Sequence, residues 1–267
     1  MTMRLAKSSR DNLRFLSVEV DSQVANLQTF FKTPTTAVAR RILDRSGYAY
    51  NLKMRIHTSC LEQLARRKKN GSAETLALRT VEFIATDLER ITELCRDCIK
   101  QMEYVTDITC IKPKAYGPML ARVRHGIELV EPAIKENDTG LALKIGQIEA
   151  KLDSDYDKLL HHYIKALKQK RNTAQLTSAL FVAHSVEQMG DALLDISESI
   201  LSANLGQPVN FQRYHSLEDS VEMLETDEDL ADVQIERIAD TRSGSAISGI
   251  SASDSKDDAY IAIFKDG

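Results

Sequence analysis

Glu187, Asp191 and Asp195 follow one another at four-residue intervals. On an α-helix that spacing lines all three along one face. Each adjacent like-charged pair then destabilises an exposed helix by about 0.2–0.5 kcal/mol, so something nearby should compensate. Upstream, Asp153, Asp157 and His161 repeat the spacing. If the two helices that carry these stripes are antiparallel neighbours, their acidic faces meet, and a cation between them relieves the repulsion. Carboxylates with at most one histidine suit hard or intermediate metal ions: Fe, Mn, Zn or Mg. The competing possibility is that both stripes face solvent and only solubilise the helices. Spacing by itself does not choose between the two.

A third stripe, Glu89, Glu93 and Asp97, lies nearer the N-terminus. Aligning the two halves of the chain on their helix turns puts Asn51 where Asp157 stands and Arg55 where His161 stands. An arginine opposite two glutamates makes an ion-paired seam that needs no metal. The expectation is therefore asymmetric: a metal in the second half and a salt-bridged counterpart in the first. His184, three residues before Glu187, is expected at the surface, and His162 lies one residue off its stripe. Cys95-x-x-Cys98 has the spacing of a redox or zinc half-site. It sits in a helical stretch with no second Cys or His pair nearby, which favours small apolar helix residues.

The elements that must position these groups are long helices. Prolines stand at 34, 113, 118, 132 and 208, leaving two long proline-free intervals whose apolar residues recur three and four apart. Helices are predicted over Arg10–Phe31, from a Thr33-Pro34 start to Arg67, over Ala73–Tyr104, Met119–Glu136 and Leu141–Lys170, and from Asn172 or Thr173 to Gly206. Pro113–Pro118 reads as a break, Asn137–Gly140 as a tight turn or brief interruption, and Arg66–Gly71 as a basic turn. Six helices with short links make antiparallel bundles. The order repeats about 100 residues apart, and Ala85–Glu93 corresponds to Ala183–Asp191. The fold class is all-α, two tandem antiparallel three-helix bundles over 10–110 and 111–206, followed by a distinct segment over 207–267.

Composition bounds the rest. The chain has 267 residues, 43% hydrophobic and 28% charged, a net charge of −4 and no tryptophan. There is no overall basic field and no basic recognition helix to attract nucleic acid. No run of about 18 apolar residues could span a membrane, and no apolar leader follows the first basic residues. A reducing, cytoplasmic setting is the default. No nucleophile–base or zinc-hydrolase spacing appears, so no complete active site is expected.

Asp87-Leu-Glu-Arg-Ile-Thr-Glu93 resembles the D-L-E-R-I-G-D signature of the PhoU family, and Val186-Glu-Gln-Met-Gly-Asp191 resembles its second copy. The likeness covers residues 10–205. It implies two tandem three-helix bundles that bind metal clusters through their acidic stripes. It also implies a regulator that restrains phosphate uptake and phosphate-starvation signalling, its partners being a phosphate transporter ATPase and a membrane histidine kinase. Homodimerisation is left open. Carried over by position, the second-repeat ligands are Asp153, Asp157, Glu187 and Asp191, and Asp195 stands where the family often has asparagine. In the first repeat Glu89 and Glu93 match, and Asn51 departs from the expected acid.

The segment from Pro208 onward carries 14 Asp/Glu against 5 Lys/Arg. Ser216–Asp219 resembles a capping box before a short acidic helix, and Tyr260–Phe264 alternates like a strand. Gly244–Gly249, with Lys265 beyond it, resembles the opening β-hairpin of a kinase-like small lobe, where a glycine-rich loop covers phosphates and a strand lysine pairs with them. The alternatives to a regulatory adaptor are thus the regulatory front of a kinase-like phosphotransferase and a metal-free helical scaffold. A disordered acidic tail is the plainer reading of the segment itself.

Overall fold

A computed structural model describes residues 7–65 and 72–211. Six long helices account for almost all of them: α1 Lys7–Lys32, α2 Thr36–Ala65, α3 Ser72–Gln101, α4 Pro113–Glu136, α5 Thr139–Leu167 and α6 Thr173–Leu205. Short 3-10 turns at Met102–Tyr104 and Ile108–Cys110 join α3 to α4. Among the described residues there is no strand, and no helix is long and apolar enough to cross a membrane. The basic turn at 66–71, the acidic helix, the glycine loop with Gly244 and Gly249, and Lys265 lie outside the described residues.

Periodicity dictates the packing. Along α1, Leu13, Leu16, Val20, Val24, Leu27 and Phe31 recur three and four apart, and all are buried. The chain makes two three-helix sets, α1–α3 and α4–α6, and each closes on itself and on the other. α1 lies on α4 and α3 on α6, while α2 and α5 flank them. Both inner pairs are antiparallel. Along the first, Arg14 meets Glu131, Asp21 meets Arg124, and Gln28 donates to the Gly117 carbonyl. Along the second, Arg90 donates to Gln188, and Cys98 reaches the Val182 carbonyl. One continuous apolar core runs through both sets. At its centre the Tyr116 and Tyr163 hydroxyls bond at 3.0 Å, Tyr116 donates to the Ala179 carbonyl, and Phe31 stacks on Tyr116 at 4.9 Å.

Two helix starts differ from expectation. α4 begins at Pro113 and runs through Pro118, where a break was expected. Pro113 is the first residue of the helix, where a missing N–H removes no bond. Pro118 does remove one, a penalty of about 3 kcal/mol, but Tyr116, Met119 and Leu120 are fully buried around it, and tertiary packing outweighs propensity. α2 is capped by Thr35, not Thr33: its hydroxyl accepts from the Val38 N–H at 3.3 Å. Between α4 and α5 the turn is tight. Asn137 takes left-handed backbone at φ 50°, and Asp138 caps α5 by accepting from the Leu141 N–H at 3.0 Å.

Candidate metal centre

α5 and α6 are antiparallel neighbours, and Gly190 fixes their register. A Cβ there would lie 2.9 Å from Leu152 Cδ1 and 3.4 Å from the Glu149 Cα, so the two backbones approach closely at that level. This puts Glu149 and Asp153 beside Asp191. One oxygen of each can be chosen so that all three lie within 4.8 Å of one another. Glu149 is the residue that sequence reading missed. It stands four before Asp153, so extending the α5 stripe one turn toward the N-terminus, rather than toward His161, would have found it.

The three carboxylates are half-buried. Burial first, then the charge of Asp153 and a hydrogen bond with it, and then the charges of Asp191 and Glu187 push the Glu149 carboxyl up to about 7. Asp191 is raised by burial and by the charge of Asp153, with Arg90 opposing. Glu187, one turn before Asp191, is raised by burial and by Asp191, while Gln188 and His184 pull it down. Gln188 Nε2 donates to Asp191 Oδ2 at 2.6 Å and to Glu187 Oε2 at 3.3 Å, tying the two acids together. His184 Nδ1 lies 3.0 Å from the same Glu187 oxygen, with its ring half exposed.

Asp153 Oδ1 is buried and has no hydrogen-bond partner. An orphaned buried carboxylate oxygen among acids whose protonation is favoured by crowding is the environment a divalent cation would relieve. The donor set is all oxygen, which suits Mg, Mn or Fe, and Zn less well. The residues present therefore fit a metal ion.

Asp157, His161 and Asp195 are not brought to this cluster. The register at Gly190 puts the α5 residues beyond Asp153 alongside the first half of α6, where the Tyr156 and His184 rings lie 6.0 Å apart, tilted by 45°. Asp157 and His161 are exposed, and His161 Nδ1 bonds the Asp157 carbonyl at 2.8 Å. Asp195 turns to Arg90 of α3, 3.6 Å away. Asp87, in the same α3–α6 seam, is pushed up to about 7 by burial and then by Asp195, with Arg90 opposing.

In the first half Glu89 is buried and receives Lys53 Nζ at 2.6 Å. Arg55, expected to face the first-half glutamates, is exposed. The sequence alignment of α2 with α5 is shifted: Lys53 stands level with Glu89 as Asp153 stands level with Glu187. Glu93 pairs with Arg96, and Asp97 with Lys100 and Arg96. Thr92 occupies the place of Gly190, with its hydroxyl donating to the Glu89 carbonyl at 2.7 Å. The Cys95 and Cys98 side chains are fully buried, and burial pushes the Cys98 thiol up to about 12, so these groups are inert packing residues.

The close contact at Gly190 gives a direct prediction. Gly190→Val forces α5 away from α6, lowering the unfolding free energy by about 1–3 kcal/mol. It also separates Glu149 and Asp153 from Asp191. Chemical denaturation checks the loss of stability.

A family model described as the PhoU domain matches residues 118–200, which include this cluster. The phosphate-specific transport system accessory protein PhoU of Edwardsiella tarda is 23% identical over 213 residues, 78% of this chain and 84% of that protein. The Escherichia coli K12 protein of the same name is 22% identical over 209 residues, 75% of this chain and 84% of its own length. Two crystal structures share the fold. PhoU from Pseudomonas aeruginosa superposes with a TM-score of 0.67 at 18% identity, covering 75% of this chain and 97% of that one. The phosphate transport system regulatory protein PhoU from Streptococcus pneumoniae gives 0.70 at 15%, covering 76% and 96%.

Proposed function

Because this chain belongs to the PhoU family, we propose that it is a cytoplasmic, non-catalytic accessory regulator of phosphate uptake. In this reading it holds a divalent metal in its second half and acts through protein contacts with a phosphate transporter ATPase and a membrane histidine kinase. The observation that carries the metal part is the Glu149–Asp153–Asp191 cluster, with its buried unpartnered Asp153 oxygen. Glu149, Asp153 and Asp191 would hold the ion, with Glu187 beside them. The ion would supply fixed positive charge that draws α5 and α6 together. Gln188 orients Asp191 and Glu187 from within α6. Arg90 links the same seam to α3, so the charge state of the centre is felt in both halves of the molecule.

The first-half stripe supports the opposite reading for that half. Lys53 already occupies the cation position at Glu89, so Glu89 and Glu93 need no metal. Elemental analysis of protein purified without an affinity tag tests both statements. Fe, Mn, Zn or Mg is expected in the wild type, is lost in Asp153→Asn/Asp191→Asn, and is retained in Glu93→Gln. A wild type that carries no metal, also after incubation with each of the four ions, would sink the metal reading and leave a salt-bridged helical scaffold.

A further inference from the structure

At the end of α6 the chain turns back on itself. Gly206 takes left-handed backbone at φ 71° and donates its N–H to the Ser202 carbonyl at 2.9 Å. Residues 207–211 then return along α6 as a strap. The Ser202 hydroxyl accepts the Val209 N–H at 2.9 Å, and Glu198, one turn earlier, accepts the Phe211 N–H at 2.6 Å. Val209 and Phe211 both pack against the core. The strap touches both helices of the acidic seam. Phe211 is held to α6 through its N–H, while its ring edge lies on α5, where a Cβ at Gly146 would be 3.5 Å from Phe211 Cε2. That Cβ would also lie 2.9 Å from Ser197 Oγ and 3.5 Å from Leu194 Cδ1, and Ser197 donates to the Ala142 carbonyl at 2.7 Å, so α5 and α6 are in close contact at this level. Gly146 precedes Glu149 by about 4.5 Å of helix rise. The seat of Phe211 therefore adjoins the level at which Glu149, Asp153 and Asp191 crowd together.

We propose that the strap is a latch governed by the charge state of the acidic cluster, seated when Glu149, Asp153 and Asp191 hold a divalent cation and released when they hold none. The inference rests on the metal reading and adds what the cation controls: whether the start of the acidic C-terminal segment, from Pro208 onward, is held on the bundle. The physical link is short. Uncompensated carboxylates repel and push α5 from α6 at the level of Glu149 and Asp191. Helices are stiff elements, so the gap carries to the next turn, at Gly146 and Leu194. Phe211 spans that gap with its N–H on one helix and its ring on the other. Widening the seam costs it one of the two contacts. Neither Phe211 nor Gly146 offers a ligand, so their part is to read the separation of the helices and not to bind the ion.

The test compares the full chain, stripped of metal at pH 7.5, with the same protein loaded with Mg, Mn, Fe or Zn in turn, uptake being measured on the same samples. Amide hydrogen exchange read by mass spectrometry follows the peptide that spans residues 206–211. Loading is expected to slow exchange at Val209 and Phe211 by about fivefold or more, the low end of ordinary coupling between two sites. Such coupling is reciprocal. Phe211→Ala, which removes the ring and no carboxylate, should therefore weaken metal affinity by the same factor, with circular dichroism checking that its helices are intact. Uptake with unchanged exchange in the strap, or with full affinity in Phe211→Ala, overturns the latch and leaves the metal reading standing. Slowing spread evenly over all six helices would be general stabilisation and equally overturns the latch. No uptake of any of the four ions overturns the metal reading, and the latch with it.

Discussion

Lys53→Ala is expected to lower the unfolding free energy by about 3–5 kcal/mol, the typical effect of leaving a buried charge without its partner. Glu89 is almost completely buried, and its carboxylate receives Lys53 Nζ at 2.6 Å from a side chain that is itself only 15% exposed. Removing the lysine leaves that buried carboxylate without its partner. The double variant Lys53→Met/Glu89→Leu should recover most of the loss, since apolar residues of similar volume replace both charges. Urea denaturation of the three proteins checks this. A single variant within 1 kcal/mol of wild type would mean that Glu89 finds water or another partner.

The second large effect is linked to pH and metal. Glu149 has its carboxyl raised to about 7, above the ordinary carboxylate value near 4.3 in an unfolded chain. The folded state therefore binds a proton that the unfolded state has released. Stability from this group is complete below the unfolded value and is lost as pH rises through about 7. The side chain is only half-buried, so solvent screening reduces the effect to about 1–2 kcal/mol. Metal-stripped protein should be more stable at pH 5.5 than at pH 7.5. Glu149→Gln should flatten that difference, because the amide supplies the missing donor to Asp153 at every pH. In the proposed metal-bound form a divalent ion takes the proton's place at pH 7.5, and at a concentration one hundred times its Kd it would add about 2.7 kcal/mol. Thermal or urea melts with and without metal, at both pH values, separate these terms. An identical pH dependence in wild type and Glu149→Gln would refute the assignment of the raised carboxyl.

Much of the fold was legible in the linear pattern. The apolar spacing that buries Leu13, Leu16, Val20 and Val24 is visible without coordinates, and so is the turn at Asn137-Asp138. The repeated Asp87–Glu93 and Val186–Asp191 segments pointed to a duplicated bundle. The helix start at Pro113 was hidden because a proline's penalty is local, whereas the burial of Tyr116 and Met119 that overcomes it comes from α1, α5 and α6.

For the candidate site, residue spacing was enough to show which helices carry carboxylates four apart, and therefore that two acidic stripes exist in the second half. It did not determine which turns of α5 and α6 lie side by side, because every i, i+4 stripe looks alike until the register is known. Tertiary structure decided that through one close approach, Gly190 against Glu149 and Leu152. The contact brings Glu149 to the cluster and leaves Asp157 and His161 outside it. The same kind of decision made Lys53, not Arg55, the partner of Glu89. A side chain's reach is a few ångströms, and a shift of one helical turn, about 5.4 Å, is enough to exchange one partner for another.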